Sequence, residues 1–260
     1  MSEHLELRKD GAVASLVINR PEKRNAISHE MWKAIPGLIA EVEADPAIKV
    51  MVLRGADGKA LSAGADISEF ETIRSTEEGA RVYNEATEAA EHAVMGLTKP
   101  SIAMIQGLAI GGGCGLSLSC DVRFAEPGAR LGITPAKLGL VYSLPATKNL
   151  VDLVGPSQAK IILFSGNHVM AEEALRIGMI DAIHSSDELE ERTMEFAHTV
   201  ATRAQVTVKA TKRIIRLILD GNAHDTEESK RLRLDSFTSD DYREGVRAFL
   251  EKRPPAFTQI

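Results

Sequence analysis

Three successive glycines at positions 111–113 stand between a short apolar run and a stretch of small and apolar residues. The run, 101–106 (SIAMIQ), is bracketed by Pro100 and Gly107 and is predicted to be a buried strand. Leu116, Leu118 and Cys120 predict a buried helix that opens straight from the glycine turn. Glycine lets backbone approach a ligand closely, because no Cβ stands in the way. A helix start adds unpaired N–H groups and the positive end of a dipole, which suits an oxygen that gains negative charge. The same glycines also fit plain tight strand–helix packing. Phosphate chemistry fits the spacing less well. A dinucleotide fingerprint would put its third glycine on Leu116 or Leu118, and a phosphate loop needs Gly-Lys-Ser/Thr where Gly112 is followed by Gly113.

A second glycine turn supplies a partner. Residues 49–55 (KVMVLRG) read as an apolar strand, and a loop then leads to Leu61-Ser62-Ala63-Gly64-Ala65-Asp66-Ile67. This heptapeptide, followed by Lys99-Pro100, the three glycines, and Cys120-Asp121 with Arg123, resembles the crotonase (enoyl-CoA hydratase/isomerase) superfamily. The likeness runs from Arg20-Pro21 and Asn25-Ala26 to Glu244-Gly245, Ala248-Phe249 and Lys252-Arg253, nearly the whole chain. The ordered set is far more specific than any one of its parts.

The resemblance implies an α/β fold: a ββα spiral core at 1–195 that binds acyl-CoA, and a helical region at 196–260 that builds a trimer or a dimer of trimers. It implies an acyl-CoA thioester as substrate, with coenzyme A as part of that substrate and no separate cofactor. The family's oxyanion hole falls on the backbone N–H groups of Ala65 and Gly112. Ala63, Gly64, Ile67 and Gly111 belong with them to the substrate-binding set. Lys23 and Arg24 lie in the loop expected beside the CoA phosphates, and Asp66 near the adenine side. Phe249 and Lys252 match positions that reach the CoA of a neighbouring subunit.

The family's acid–base pair is a different matter. Its two glutamates fall on Gly115 and Ala136, and neither residue carries a proton. Adding water across a double bond takes one carboxylate as base on water and another as proton donor to the α-carbon. The expectation is therefore isomerisation, decarboxylation or atypical hydration through a thioester enolate, or else a non-catalytic acyl-CoA binder or assembly subunit. Restoring carboxylates through Gly115→Glu and Ala136→Glu is expected to create hydration. Substitute proton carriers are Glu88, with His92 one turn on, and the polar pair Tyr142 and Ser143. Cys114 reads as a packing thiol.

At 260 residues the chain is long enough to bury one full core. A net charge of -6 argues against a broad nucleic-acid or membrane footprint. Cys114 and Cys120 are the only cysteines and read as reduced core thiols of a cytoplasmic protein. The first ten residues are polar and acidic, unlike a signal peptide, and no apolar run reaches membrane-spanning length. No His/Cys/carboxylate group has metal-ligand spacing, so no metal is expected.

The elements that must position these residues follow from periodicity and breakers. A hairpin is predicted at 5–19, turning at Lys9-Asp10-Gly11, then a helix at 29–43 capped by Ser28 and kinked or broken at Pro36. A helix is predicted at 76–97, with Glu85, Glu88 and His92 on one face. Short strands follow at 122–125 and 130–132, then helices at 147–154 and 157–164 separated by Gly155-Pro156. After a short helix at 171–177 and a strand at 178–183, the pattern is helical from 187 to 251.

Overall fold

Alternating apolar residues fold the first stretch into a hairpin, β1 (Leu5–Asp10) antiparallel to β2 (Val13–Ile18), and helix α1 (His29–Ala44) follows. Residues 3–257 are described by this computed structural model. Strand, strand, helix then recurs. The second turn is β3 (Val50–Gly55), β4 (Ala60–Ser62), a one-turn α2 (Phe70–Ile73) and α3 (Glu77–Gly96). The third is β5 (Ser101–Ile105), β6 (Leu108–Ile110) and α4 (Gly112–Ser119). The fourth is β7 (Val122–Ala125), β8 (Arg130–Gly132) and α5 (Leu144–Ser165). The short elements β9 (Val169–Met170), α6 (Ala171–Arg176) and β10 (Ala182–Ile183) complete the strands.

From the second turn on, the two strands of each turn go to different sheets, while β1 and β2 of the first share one. One sheet has the order β1-β2-β3-β5-β7-β10, and the other β4-β6-β8-β9. Parallel pairing of β2 with β3, β3 with β5, and β5 with β7 makes each helix a crossover, so the chain advances as a spiral. This is the ββα spiral that the sequence implied. Its strands read as unbroken apolar runs because both faces are covered. Trp32, Ile35, Met51, Leu53, Ala103 and Ile105 belong to one core cluster, while Val50, Val52, Ile102 and Met104 pack on the other side with Leu189 and Ala197 of α7 (Leu189–Ala201). The expected division between residues 195 and 196 falls inside α7, which packs on the sheet. Helices α8 (Gln205–Leu219), α9 (Glu227–Thr238) and α10 (Asp240–Glu251) form the remainder.

Two breakers behave differently. At Gly155 the backbone leaves the helical region (φ 75°, ψ 165°), so α5 is two helices joined at the predicted break. Pro36, by contrast, sits inside an uninterrupted α1. The lost N–H costs a hydrogen bond there, but Ile35, Leu38 and Ile39 on either side are buried and hold the helix to the core.

The Cys120-Asp121…Arg123 motif is a structural knot. Arg123 is buried, and its guanidinium donates to the carbonyl of Cys120 (2.7 Å), that of Met179 (3.1 Å) and the carboxylate of Asp181 (3.1 Å). Asp121 accepts from the Ser101 N–H (2.7 Å) and from Lys212 of α8 (2.8 Å). One dipeptide and one arginine thus tie β5, β7, the β10 approach and the helical tail together. Arg123→Met removes the donors and leaves buried acceptors unpaired. It is expected to cost about 3–5 kcal/mol in urea unfolding, with the residues lining the pocket described below untouched.

Candidate active site

The 20–27 loop comes first, because it holds the first glycine turn in place. Arg24 and Asn25 adopt left-handed backbone (φ 51° and 58°), which turns the loop back on itself. The Asn25 amide locks this, accepting from the Arg20 N–H (2.8 Å) and donating to the Ala60 carbonyl (2.7 Å). The loop is then stitched to residues 63–66. The N–H of Ala63 donates to the Arg24 carbonyl (2.9 Å), that of Gly64 to Ser62 Oγ (3.1 Å), and that of Asp66 to the Ile27 carbonyl (2.9 Å). Among the described residues, the Ala65 N–H alone of these four has no acceptor.

The second glycine turn meets the first backbone to backbone. Gly64 has φ 100° and Gly111 has φ 53°, both in the region that favours glycine. A Cβ on Gly64 would sit 2.8 Å from the Ile110 carbonyl oxygen, and one on Gly111 would sit 3.8 Å from the Gly64 Cα. The Gly111 N–H donates to the Gly132 carbonyl (2.7 Å). Gly112 opens α4, and among the described residues its N–H has no acceptor.

Both turns line one cavity, with an empty volume of about 1020 Å³ counting its open mouth. Ala63, Gly64, Ala65, Ile67, Gly111, Gly112, Glu88, Tyr142 and Ser143 all line it. Ser143 is already engaged, since its Oγ accepts from the Ala146 N–H (3.3 Å) as the cap of α5. The other expected residues lie elsewhere. Lys23 and Arg24 are exposed and outside the lining. Asp66 is buried and bonded to Arg20 Nη1 (2.7 Å) and Ser68, so its carboxylate holds the turn. Burial opposes that charge, but the bonds from Ser68 and Arg20 outweigh it and keep the carboxyl below its usual range. Phe249, 83% exposed on α10, and Lys252 at its C-cap are not in this cavity within one chain. Cys114 is a buried thiol that burial pushes up to about 12, so at neutral pH it is a packing group.

The face that α3 turns to the cavity is not the one expected. Asn84, Thr87, Glu88 and Glu91 line it, at i, i+3, i+4 and i+7. His92 is exposed and borders a different cleft beside Lys209 and Arg213. Glu91 is the residue that sequence reasoning missed. It is 8% exposed, and among the described residues no donor or cation pairs with its carboxylate. Burial first, and the Glu88 charge second, push the carboxyl up to about 7.

Gly115 explains where this carboxylate fits. A Cβ at Gly115 would lie 2.1 Å from Glu91 Oε1, with the Tyr142 hydroxyl 3.9 Å from the same point. Glu91 thus fills the space that a side chain at 115 would need. Tyr142 shares the setting: burial, then the Glu91 charge, hold its phenol well above the ordinary range. Gly115→Glu, one half of the pair expected to create hydration, would have to push the Glu91 carboxylate aside, and Ala136, the other half, is exposed and outside the lining.

An acid whose pKa is raised by folding favours the folded state most below its unfolded value, here 4.5, and loses that contribution as pH rises through about 7. Glu91→Gln matches the protonated acid in shape and stays neutral. It should leave stability near the parent's at pH 4.5 and raise it by as much as about 3 kcal/mol at pH 8. Urea unfolding at the two pH values checks the sign and the difference.

Comparison with known proteins places this geometry. Residues 8–260 match the family model described as enoyl-CoA hydratase/isomerase. The chain is 34% identical over 249 residues to a short-chain-enoyl-CoA hydratase of Clostridium acetobutylicum, covering 95% of this chain and 94% of that one. It is 31% identical over 259 residues to a crotonyl-CoA hydratase of Syntrophomonas wolfei, covering 98% of each. A crystal structure of an enoyl-CoA hydratase/isomerase family protein from Hyphomonas neptunium superposes with a TM-score of 0.96 at 43% identity, over 99% of this chain and 98% of that one. The chain belongs to the enoyl-CoA hydratase/isomerase family, and its fold is that of the crotonases.

Proposed function

We propose that this enzyme transforms acyl-CoA thioesters by holding the thioester carbonyl between the N–H groups of Ala65 and Gly112. The observation that carries the reading is a pair of amides without acceptors on two glycine turns that touch and line one cavity. When the thioester becomes enolate-like, charge builds on its oxygen, and two fixed donors in a water-poor pocket stabilise it. Backbone donors need no particular side chain, which is why glycine and alanine suffice here.

The family's hydratase pair is absent in this reading, because Gly115 and Ala136 stand at its positions. The reaction therefore differs from two-glutamate hydration, although relatives at 31–34% identity are named as hydratases. Isomerisation, decarboxylation and hydration by other groups all pass through the same enolate. Lys23 and Arg24 offer cations to the CoA phosphates, and Phe249 and Lys252 act from a neighbouring subunit of a trimer or a dimer of trimers. Exposed Ile218, Phe237, Phe249 and Leu250 on the tail helices give such an assembly apolar surface to bury.

A turnover screen against a panel of acyl-CoA thioesters, read by product mass, tests this reading. Conversion of at least one thioester is expected, and binding of all without change would make the chain an acyl-CoA-binding subunit instead. Crotonyl-CoA hydration should stay well under the ordinary rate of about 10 per second. Gly112→Ala tests the hole itself. The added Cβ would lie 2.6 Å from the Trp32 ring, so the start of α4 must shift. A fall of roughly 10²-fold in kcat is expected on whichever thioester turns over.

A further inference from the structure

We propose that Glu91, reaching from α3 into the space left open at Gly115, is the acid–base group that removes and returns a proton at the α-carbon of the bound thioester. The inference rests on the acyl-CoA reading above and deepens it. Three observations carry it. Glu91 is more than nine-tenths buried, lines the cavity that both glycine turns line, and has no donor or cation paired with it among the described residues. A structural carboxylate in this protein looks different. Asp66 is bonded to Arg20 and Ser68, and Asp121 to Ser101 and Lys212. The fit at Gly115 adds to these. The helix that starts at the Gly112 amide has no side chain at the one position where a Cβ would meet Glu91 Oε1, 2.1 Å away.

The step balances without a further reactant. The ionised Glu91 carboxylate takes the α-proton; the C–H electron pair becomes the C=C bond of the enolate, and the carbonyl π pair moves onto the thioester oxygen between the Ala65 and Gly112 amides. The carboxylic acid then gives a proton back to carbon. Return at the α-carbon gives exchange with solvent, and return at the γ-carbon of an unsaturated chain moves the double bond. One carboxylate suffices for both, so this site needs no second member of a hydratase pair.

Burial sets the titration of Glu91 first and the charge of Glu88, on its own helix, second; both push the carboxyl up, to about 7. Tyr142 from the loop before α5 and Cys114 on α4 lie beside it, and Arg74, which also lines the cavity, is stacked over the rings of Phe70 and Tyr83. As a base it works when ionised, so the rate should climb with pH to a plateau.

Solvent exchange into butyryl-CoA in deuterated buffer, read by mass, tests the proposal with no need to know the natural acyl group. The parent enzyme should exchange α-hydrogen, with the rate rising from pH 5 to 9 about a midpoint near 7. Glu91→Gln should lower the rate about 10²–10⁴-fold and abolish that midpoint, while butyryl-CoA still binds. Glu91→Asp should recover part of the loss. Gly115→Ala leaves Glu91 in the chain but displaces its carboxylate, and should also slow exchange. If Glu91→Gln exchanges like the parent, or the parent's rate does not vary over this range, the assignment of Glu91 falls and the acyl-CoA reading stands. If the parent binds butyryl-CoA without exchanging, the assignment of Glu91 falls; if neither butyryl-CoA nor any thioester of the panel binds, both fall.

Discussion

Gly64 meets the Ile110–Gly111 backbone, and a Cβ at 64 would come within 2.8 Å of the Ile110 carbonyl oxygen. Everything distinctive about the cavity follows from that contact. It brings the segment after β4 against the segment after β6, so that two amides from different turns of the spiral line the same space. The contact is maintained from behind. The loop at 20–27 takes up the N–H groups of Ala63 and Asp66 and, through Ser62, that of Gly64, which leaves Ala65 as the one donor of these four without an acceptor among the described residues. Ala65 is half-buried where it lines the cavity, and the surrounding bonds hold the turn in place.

The buried charges divide into two kinds. Arg123 and Lys99 are as deeply placed as Glu91, but each is saturated: Arg123 by carbonyls and Asp181, Lys99 by the carbonyls of Val42 and Asp45 at 2.6 Å each. They join elements, and their sequence neighbours mark them as part of the fold. Glu91 joins nothing. An unpaired buried carboxylate weakens the folded state at neutral pH, and such weakening is what an acid–base site requires.

Much of this was legible in the sequence. Both glycine turns announced themselves, because backbone contact demands glycine and leaves a visible run. The longer strands and helices could be read from apolar runs and breakers, but the ββα order came from the family resemblance, because β4 and β6 are only three residues each and leave no run. The break at Gly155-Pro156 was correctly placed, since left-handed glycine and proline act locally. The break allowed at Pro36 does not occur, because burial of its neighbours, a tertiary effect, holds α1 together. Glu91 was invisible for a related reason. Helix α3 carries Glu77, Glu78, Glu85, Glu88 and Glu91, and on an isolated helix Glu88 has neighbours of equal standing at 91 and at 92. The choice between them is made by what packs opposite. The missing side chain at Gly115 makes room for Glu91, while His92 turns to the other cleft. The open space at 115 on one helix is filled by a carboxylate from another.

That substitution changes more than the address of a carboxylate. A group fixed near 7 by burial is present in both protonation states at neutral pH, so the same side chain can serve as base and then as acid within one turnover. Tyr142 and Cys114 beside it stay protonated, held up by burial, and neither competes for the proton in this range. The half-buried Glu88 adds a like charge that further discourages ionisation of Glu91. A cation in the same place would reverse the logic, pulling the carboxyl down and leaving a weak base. Arg74 lines the same cavity but sits over the Phe70 and Tyr83 rings, 4.5 and 5.1 Å from their centroids, so the cavity's chemistry depends on where its cation is held as well as on the amides of Ala65 and Gly112.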